Sequence, residues 1–138
     1  MRPLGTLAAA VLLIASVRAY GQTAQDFTRA CPVSNEACAN SKASFEQVFP
    51  LAIKGDVKAL RQVALCLVSG CDGAVQAEPI AGCSWRIVVA AAVYPQVDED
   101  DLSLMINDCK ILNQTEMQSA RNHAATLVQA IYARPLLP

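Results

Sequence analysis

Six cysteines, Cys31, Cys38, Cys66, Cys71, Cys83 and Cys109, constrain this chain more than any other feature, because all of them follow a segment that reads as an export signal. Arg2 supplies a short positive start, Pro3 to Val17 carries no charge, and Leu7-Ala-Ala-Ala-Val-Leu-Leu-Ile14 is an apolar run. That run is too short to span a bilayer. Small residues then stand at cleavage spacing, as Val17-Arg18-Ala19 or Ala19-Tyr20-Gly21. Residues 1–21 are therefore expected to be a signal peptide, and 22–138 a single exported domain, periplasmic or secreted, with no membrane span after cleavage. No cysteine stands at the cleavage site, which argues against a lipoprotein. N-terminal sequencing of exported material is expected to begin near Tyr20 or Gln22, and an intact Met1 would remove the ground for an oxidising compartment.

In such a compartment an even number of cysteines reads as a disulfide framework, and six allow fifteen pairings. A structural zinc site is the competing account, but there is no CxxC pair and the single histidine, His123, is remote from every cysteine in sequence. Thioredoxin-type chemistry also needs a close CxxC. No metal and no cofactor are expected. With 54% apolar and 17% charged residues the chain is too apolar for intrinsic disorder. Without Arg2 and Arg18 there remain 9 basic side chains against 12 acidic ones, a net charge of about −3. No basic stripe interleaved with aromatics offers a footprint for nucleic acid.

Helix signals run through the mature chain. Ser44 to Lys54 carries Phe45, Val48, Phe49 and Ala52 at spacings of three and four, with Pro50 expected to kink it. Gly55 suits the left-handed end of that helix, and Asp56 is placed to cap the next, whose face is Leu60, Val63, Ala64 and Leu67. Residues 70–79 form a loop containing Gly70, Asp72, Gly73 and Pro79. Ile80 to Tyr94 is apolar nearly all round and is expected at the centre of the domain. Its Ile87-Val88-Val89 triplet has strand composition, but nothing alternates and no partner strand exists. Asp98 is placed to cap a helix whose first turn holds Glu99, Asp100 and Asp101 and whose apolar face is Leu102, Met105, Ile106 and Cys109. Asn113-Gln-Thr-Glu116 has capping-box spacing and is also a glycosylation sequon, and Met117, Ala120, Ala124, Leu127, Val128 and Ile131 carry the stripe of a last helix that stops before Arg134-Pro135.

The middle of the chain resembles a known family. Ala52-Ile-Lys-Gly55-Asp56-Val-Lys-Ala59, then Val63-Ala64 and Leu67, Gly70 and Gly73, and Trp85 with Ala90-Ala91, is similar to one Sel-one-like repeat, a relative of the tetratricopeptide repeat. The departures are that Ala64 replaces the usual glycine, Leu67 replaces an aromatic, and the Gly70-Cys-Asp-Gly73 turn has other spacing. The resemblance covers about a third of the mature chain. It extends to Leu112–Tyr132, which looks like the closing helix of such arrays, and to the Cys31–Cys38 spacing, which is similar to that of the secreted, cysteine-rich branch.

The resemblance implies an all-α, up-and-down stack of about five helices, with a repeat-like hairpin near 44–94 and closing helices near 98–134. Gly55, Asp56, Ala59, Ala64, Gly70, Gly73, Trp85 and Ala91 are its structural residues. It implies a scaffold or adaptor that binds a protein or peptide and is not an enzyme. A small envelope hydrolase is the alternative, its candidates being Ser84, His123 and the carboxylates Asp98, Glu99, Asp100 and Asp101, though no pair has triad or metal-ligand spacing. An inhibitor or immunity-type protein is a third class. In an up-and-down stack Cys66, Cys71, Cys83 and Cys109 fall at one pole, while Cys31 and Cys38 pair with each other away from it. At the pole Cys71–Cys83 with Cys66–Cys109 is favoured, and Cys66–Cys71 with Cys83–Cys109 is the nearly equal rival.

Overall fold

The computed structural model describes residues 22–92 and 96–138, so the expected signal peptide and the expected end of a helix at Tyr94 lie outside the described residues. Among those described, a single turn of 3-10 helix at Ala24–Asp26 is followed by five α-helices: α1 (Glu36–Ile53), α2 (Val57–Ser69), α3 (Pro79–Ala90), α4 (Glu99–Cys109) and α5 (Gln114–Tyr132). There is no strand among them, only one antiparallel bridge between Thr28 and Val75. The Ile87-Val88-Val89 triplet lies inside α3.

Local chemistry explains the helix boundaries. The Asp56 carboxylate accepts from the Ala59 amide at 2.8 Å and opens α2, after Gly55 has reversed the chain at φ +90°. Asp98 with Asp101, and Asn113 with Glu116, form reciprocal capping boxes at the starts of α4 and α5. α1 begins at Glu36, eight residues before the expected Ser44, because the Asn35 side chain accepts from Cys38 N at 3.0 Å. Pro50 does not end α1, which continues to Ile53. α3 opens on Pro79 itself, a residue suited to the first helical position because its missing amide has no partner to lose there.

α3 is the hub. It packs on α2, α4 and α5, whereas α4 and α5 hardly touch each other. Its buried residues include Ala81, Gly82, Trp85, Val88 and Val89, as a helix apolar nearly all round requires. All three phenylalanines and the one tryptophan share the main core. Phe27 touches Phe45 and Phe49, and Phe49 reaches Trp85 with ring centroids 5.7 Å apart. Gly82 lets α3 approach α2 closely, since a Cβ there would stand 2.7 Å from Val68 Cγ2. Gly82→Ala is therefore expected to destabilise by about 1–2 kcal/mol, overpacking outweighing the gain in helix propensity; an unchanged melting temperature would show that the two helices separate at no cost.

The cysteine pairing is Cys31–Cys38, Cys66–Cys71 and Cys83–Cys109, with no cysteine left free. The first bridge agrees with the sequence reading, and the other two are the rival set, so the favoured Cys71–Cys83 and Cys66–Cys109 are corrected. The reason is geometric. Gly70, at φ +81°, turns the chain back so that Cys71 returns to Cys66, with Cα atoms 4.9 Å apart. On α3 it is Gly82 that faces α2, and Cys83, one residue on, is carried about 100° round the helix towards the end of α4. The Cys31–Cys38 pair is also not remote. Ser41, one turn beyond Cys38, donates to the Asp72 carboxylate at 2.6 Å, and Arg29 N and Gln76 N make backbone hydrogen bonds across the gap between the N-terminal segment and the α2–α3 loop. All three bridges therefore stand near one end of the stack.

Candidate functional site

The residues that the sequence offers for catalysis are not brought together. Ser84 is fully buried, its hydroxyl shared between the carbonyls of Ile80 (2.8 Å) and Ala120 (3.1 Å), where it ties α3 to α5. His123 is half-buried on α5. Desolvation pushes its pKa down, and the Glu78 carboxylate partly opposes this. Asp98 caps α4, and Glu99 and Asp100 are exposed. No group of three His, Cys, Asp or Glu side chains among the described residues is placed to hold a metal ion.

The acidic run is more than a solvated helix start. Asp101 is 3% exposed, and Arg61 of α2 grips it through two hydrogen bonds, Nε at 2.7 Å and Nη2 at 2.6 Å, while donating also to Gln96 O at 2.5 Å. Arg86 of α3, itself 4% exposed, holds Asp108 at 2.7 Å. These two arginines and the Cys83–Cys109 bridge fix α4 on the bundle at both ends. Sequence reasoning missed both arginines, since their partners stand 40 and 22 residues away.

The Arg61 hydrogen bonds hold the Asp101 carboxyl below the ordinary carboxylate range, helped by the Asp98 amide and opposed by burial. A carboxyl with a depressed folded pKa stabilises the fold above its unfolded pKa of about 3.9, and that contribution vanishes as pH falls through the folded value. Wild-type protein should thus lose stability more steeply than Asp101→Asn as pH falls below about 5. At neutral pH Arg61→Met should cost about 1–2 kcal/mol, the pair being partly solvated on the arginine side. Parallel pH slopes in thermal melts would overturn the clamp.

A cleft remains where α4 and α5 diverge over α3. One lobe, of about 290 Å³, is lined by Ile87, Met105, Ile106, Cys109, Met117 and the cations Lys110 and Arg121. The adjoining lobe, of about 460 Å³, shares Ile87 and runs past Ala90 and Ala91 to Arg134, Leu136 and Leu137. Both are open to solvent, and no carboxylate lines either. The C-terminal tail is held over α3 by Arg134, which donates to Ala91 O and lies over the Tyr132 ring, and by Tyr132, whose hydroxyl donates to Val88 O at 3.3 Å. The sequence reading gave α4 one apolar face, Leu102, Met105, Ile106 and Cys109. In the structure Cys109 is buried and Met105 half-buried, whereas Leu102 is 43% and Ile106 62% exposed. α4 packs on α3 alone, too narrow a support to cover a face that wide.

The residues of the repeat-like pattern are mostly structural. Ala59, Ala64 and Trp85 are buried, and Gly55, Gly70 and Gly73 all have positive φ. Asp56 is a cap, and only Ala91 borders the cleft. No helix among the described residues is long and apolar enough to cross a membrane. Three intramolecular disulfides are the mark of a non-cytoplasmic, oxidising compartment. In comparisons with known proteins, no family model, no curated protein and no solved structure matches this chain.

Proposed function

We propose that this chain is an exported, non-enzymatic helical module of the cell envelope, periplasmic or secreted, that binds a protein or peptide segment on the face formed by α4 and the cleft beside it. The observation that carries this reading is the exposure of Leu102 and Ile106 on α4, with Ile106 at an open cleft lined by apolar and basic side chains. An exposed apolar surface next to a formed cleft marks interaction sites on small proteins. The Cys83–Cys109 bridge and the two arginine clamps hold this face in place, so little ordering entropy is lost on binding. The resemblance to Sel-one-like repeats, which serve as interaction scaffolds, agrees with the reading. Burial of Ser84 and its engagement by two carbonyls speak against its use as a nucleophile.

The test is affinity capture from exported material under non-reducing conditions, comparing the wild type with Ile106→Glu. A stoichiometric protein partner held by the wild type and lost from the variant is expected. A partner that the variant retains would move the site elsewhere, and an empty capture accompanied by turnover of a cell-wall substrate would favour the enzyme.

A further inference from the structure

Along α4 and its C-cap stand Glu99, Leu102, Ile106 and Lys110, at successive spacings of three, four and four residues, all four exposed, and Ile106 and Lys110 line the cleft. At 100° per residue these positions fall within an arc of about 80° of the helix. Read forwards, the stripe runs acid, apolar, apolar, base. Turned end for end, it runs base, apolar, apolar, acid. A surface that a half-turn carries onto its own complement is what an isologous two-fold interface requires.

We infer that this face docks a second copy of the same chain, with the two α4 helices antiparallel about a two-fold axis passing between Leu102 and Ile106. The inference rests on the reading of this face as the interaction surface and names its occupant. The antiparallel register sets Glu99 opposite Lys110 of the partner subunit and, by symmetry, the reverse, giving two ion pairs, one at each end of an apolar centre. Leu102 meets Ile106 of the partner subunit. Leu102 of the partner subunit, set against Ile106, then lies at the cleft lined by Met105, Met117 and Arg121. Charge complementarity singles out this occupant. The cleft supplies Lys110 and Arg121 and no carboxylate, and the acid that answers Lys110, Glu99, stands at the far end of the same helix. Antiparallel pairing also places the positive start of each α4 beside the negative end of the other. Each copy contributes only one short helix and the cleft lip, so the interface is small and the dissociation constant is expected at roughly 1–100 μM.

The experiment is sedimentation of the disulfide-intact protein over a concentration series bracketing that range. A reversible monomer–dimer equilibrium is expected for the wild type, and a monomer for Ile106→Glu. Glu99→Lys and Lys110→Glu should each weaken dimerisation about tenfold or more, because each replaces two attractive pairs with two repulsive ones. The double variant Glu99→Lys/Lys110→Glu should restore it to within about threefold, which simple loss of folding would not do. Thermal melts of the same samples show that each variant is folded. A wild type that stays monomeric throughout would overturn the dimer, and an Ile106-dependent foreign partner found by capture would then leave the binding-module reading standing. A dimer indifferent to Ile106→Glu, or one that the double reversal fails to rescue, would overturn the α4 register.

Discussion

Trp85→Ala is expected to destabilise the protein by about 3–5 kcal/mol, the range for removing a large aromatic from a packed core. Trp85 is fully buried on the central helix and touches Phe49, which in turn contacts Phe27 and Phe45, so the void would open where the N-terminal segment, α1 and α3 meet. Its indole nitrogen has no hydrogen-bond partner. Trp85→Phe should therefore cost much less, about 1–2 kcal/mol, since it keeps most of the ring contact and removes an unsatisfied buried donor. Chemical denaturation of the three proteins measures both differences. Blue-shifted wild-type fluorescence, inaccessible to quenchers, should accompany them. An alanine variant as stable as the wild type would mean that Trp85 lies outside the core.

Loss of the Cys83–Cys109 bridge, as Cys83→Ala/Cys109→Ala, should cost about 3–4 kcal/mol, since it closes a separation of 26 residues. The Cys66–Cys71 bridge, separated by 5, should be worth only about 2 kcal/mol. In a domain of this size each kcal/mol corresponds to about 3–6 °C in Tm. Complete reduction should then lower Tm by tens of degrees, and the first loss should be α4. That helix rests on α3 alone and is otherwise held by the Arg61–Asp101 and Arg86–Asp108 pairs. Hydrogen exchange on the double variant tests the order: α4 amides should exchange before those of α2. Uniform protection of α4 without the bridge would show that the arginine pairs suffice, and peptide mapping that joined Cys71 to Cys83 would contradict the fold at its crosslinked end.

The five-helix pattern, the caps at Asp56, Asp98 and Asn113 and the central place of α3 were all legible in the chain. Each depends on residues within a turn or two of one another: a side chain that satisfies a free amide, a glycine that accepts positive φ, a periodicity that marks one face. The early start of α1 was encoded as locally, by Asn35 capping the amide of Cys38, but that cap lies among cysteines and was masked by their disulfide reading.

What only the tertiary structure decided depends on which face of a helix meets which neighbour. Cys66 and Cys83 lie close to the same pole, yet they do not pair, because Gly82 occupies the contact with α2 and turns Cys83 towards α4. Arg61 finds Asp101 forty residues away, and Arg86 finds Asp108 across a helix boundary. Leu102 and Ile106 have the periodicity of a core face but stay exposed, because α5 leans onto α3 and the α1–α2 turn, where Ile131 and Tyr132 crowd Gly55, and leaves α4 uncovered on that side. Periodicity records that a face is apolar. Whether that face is buried depends on the rotation and spacing of helices far apart in the chain, set by packing volumes that no local stretch of sequence contains.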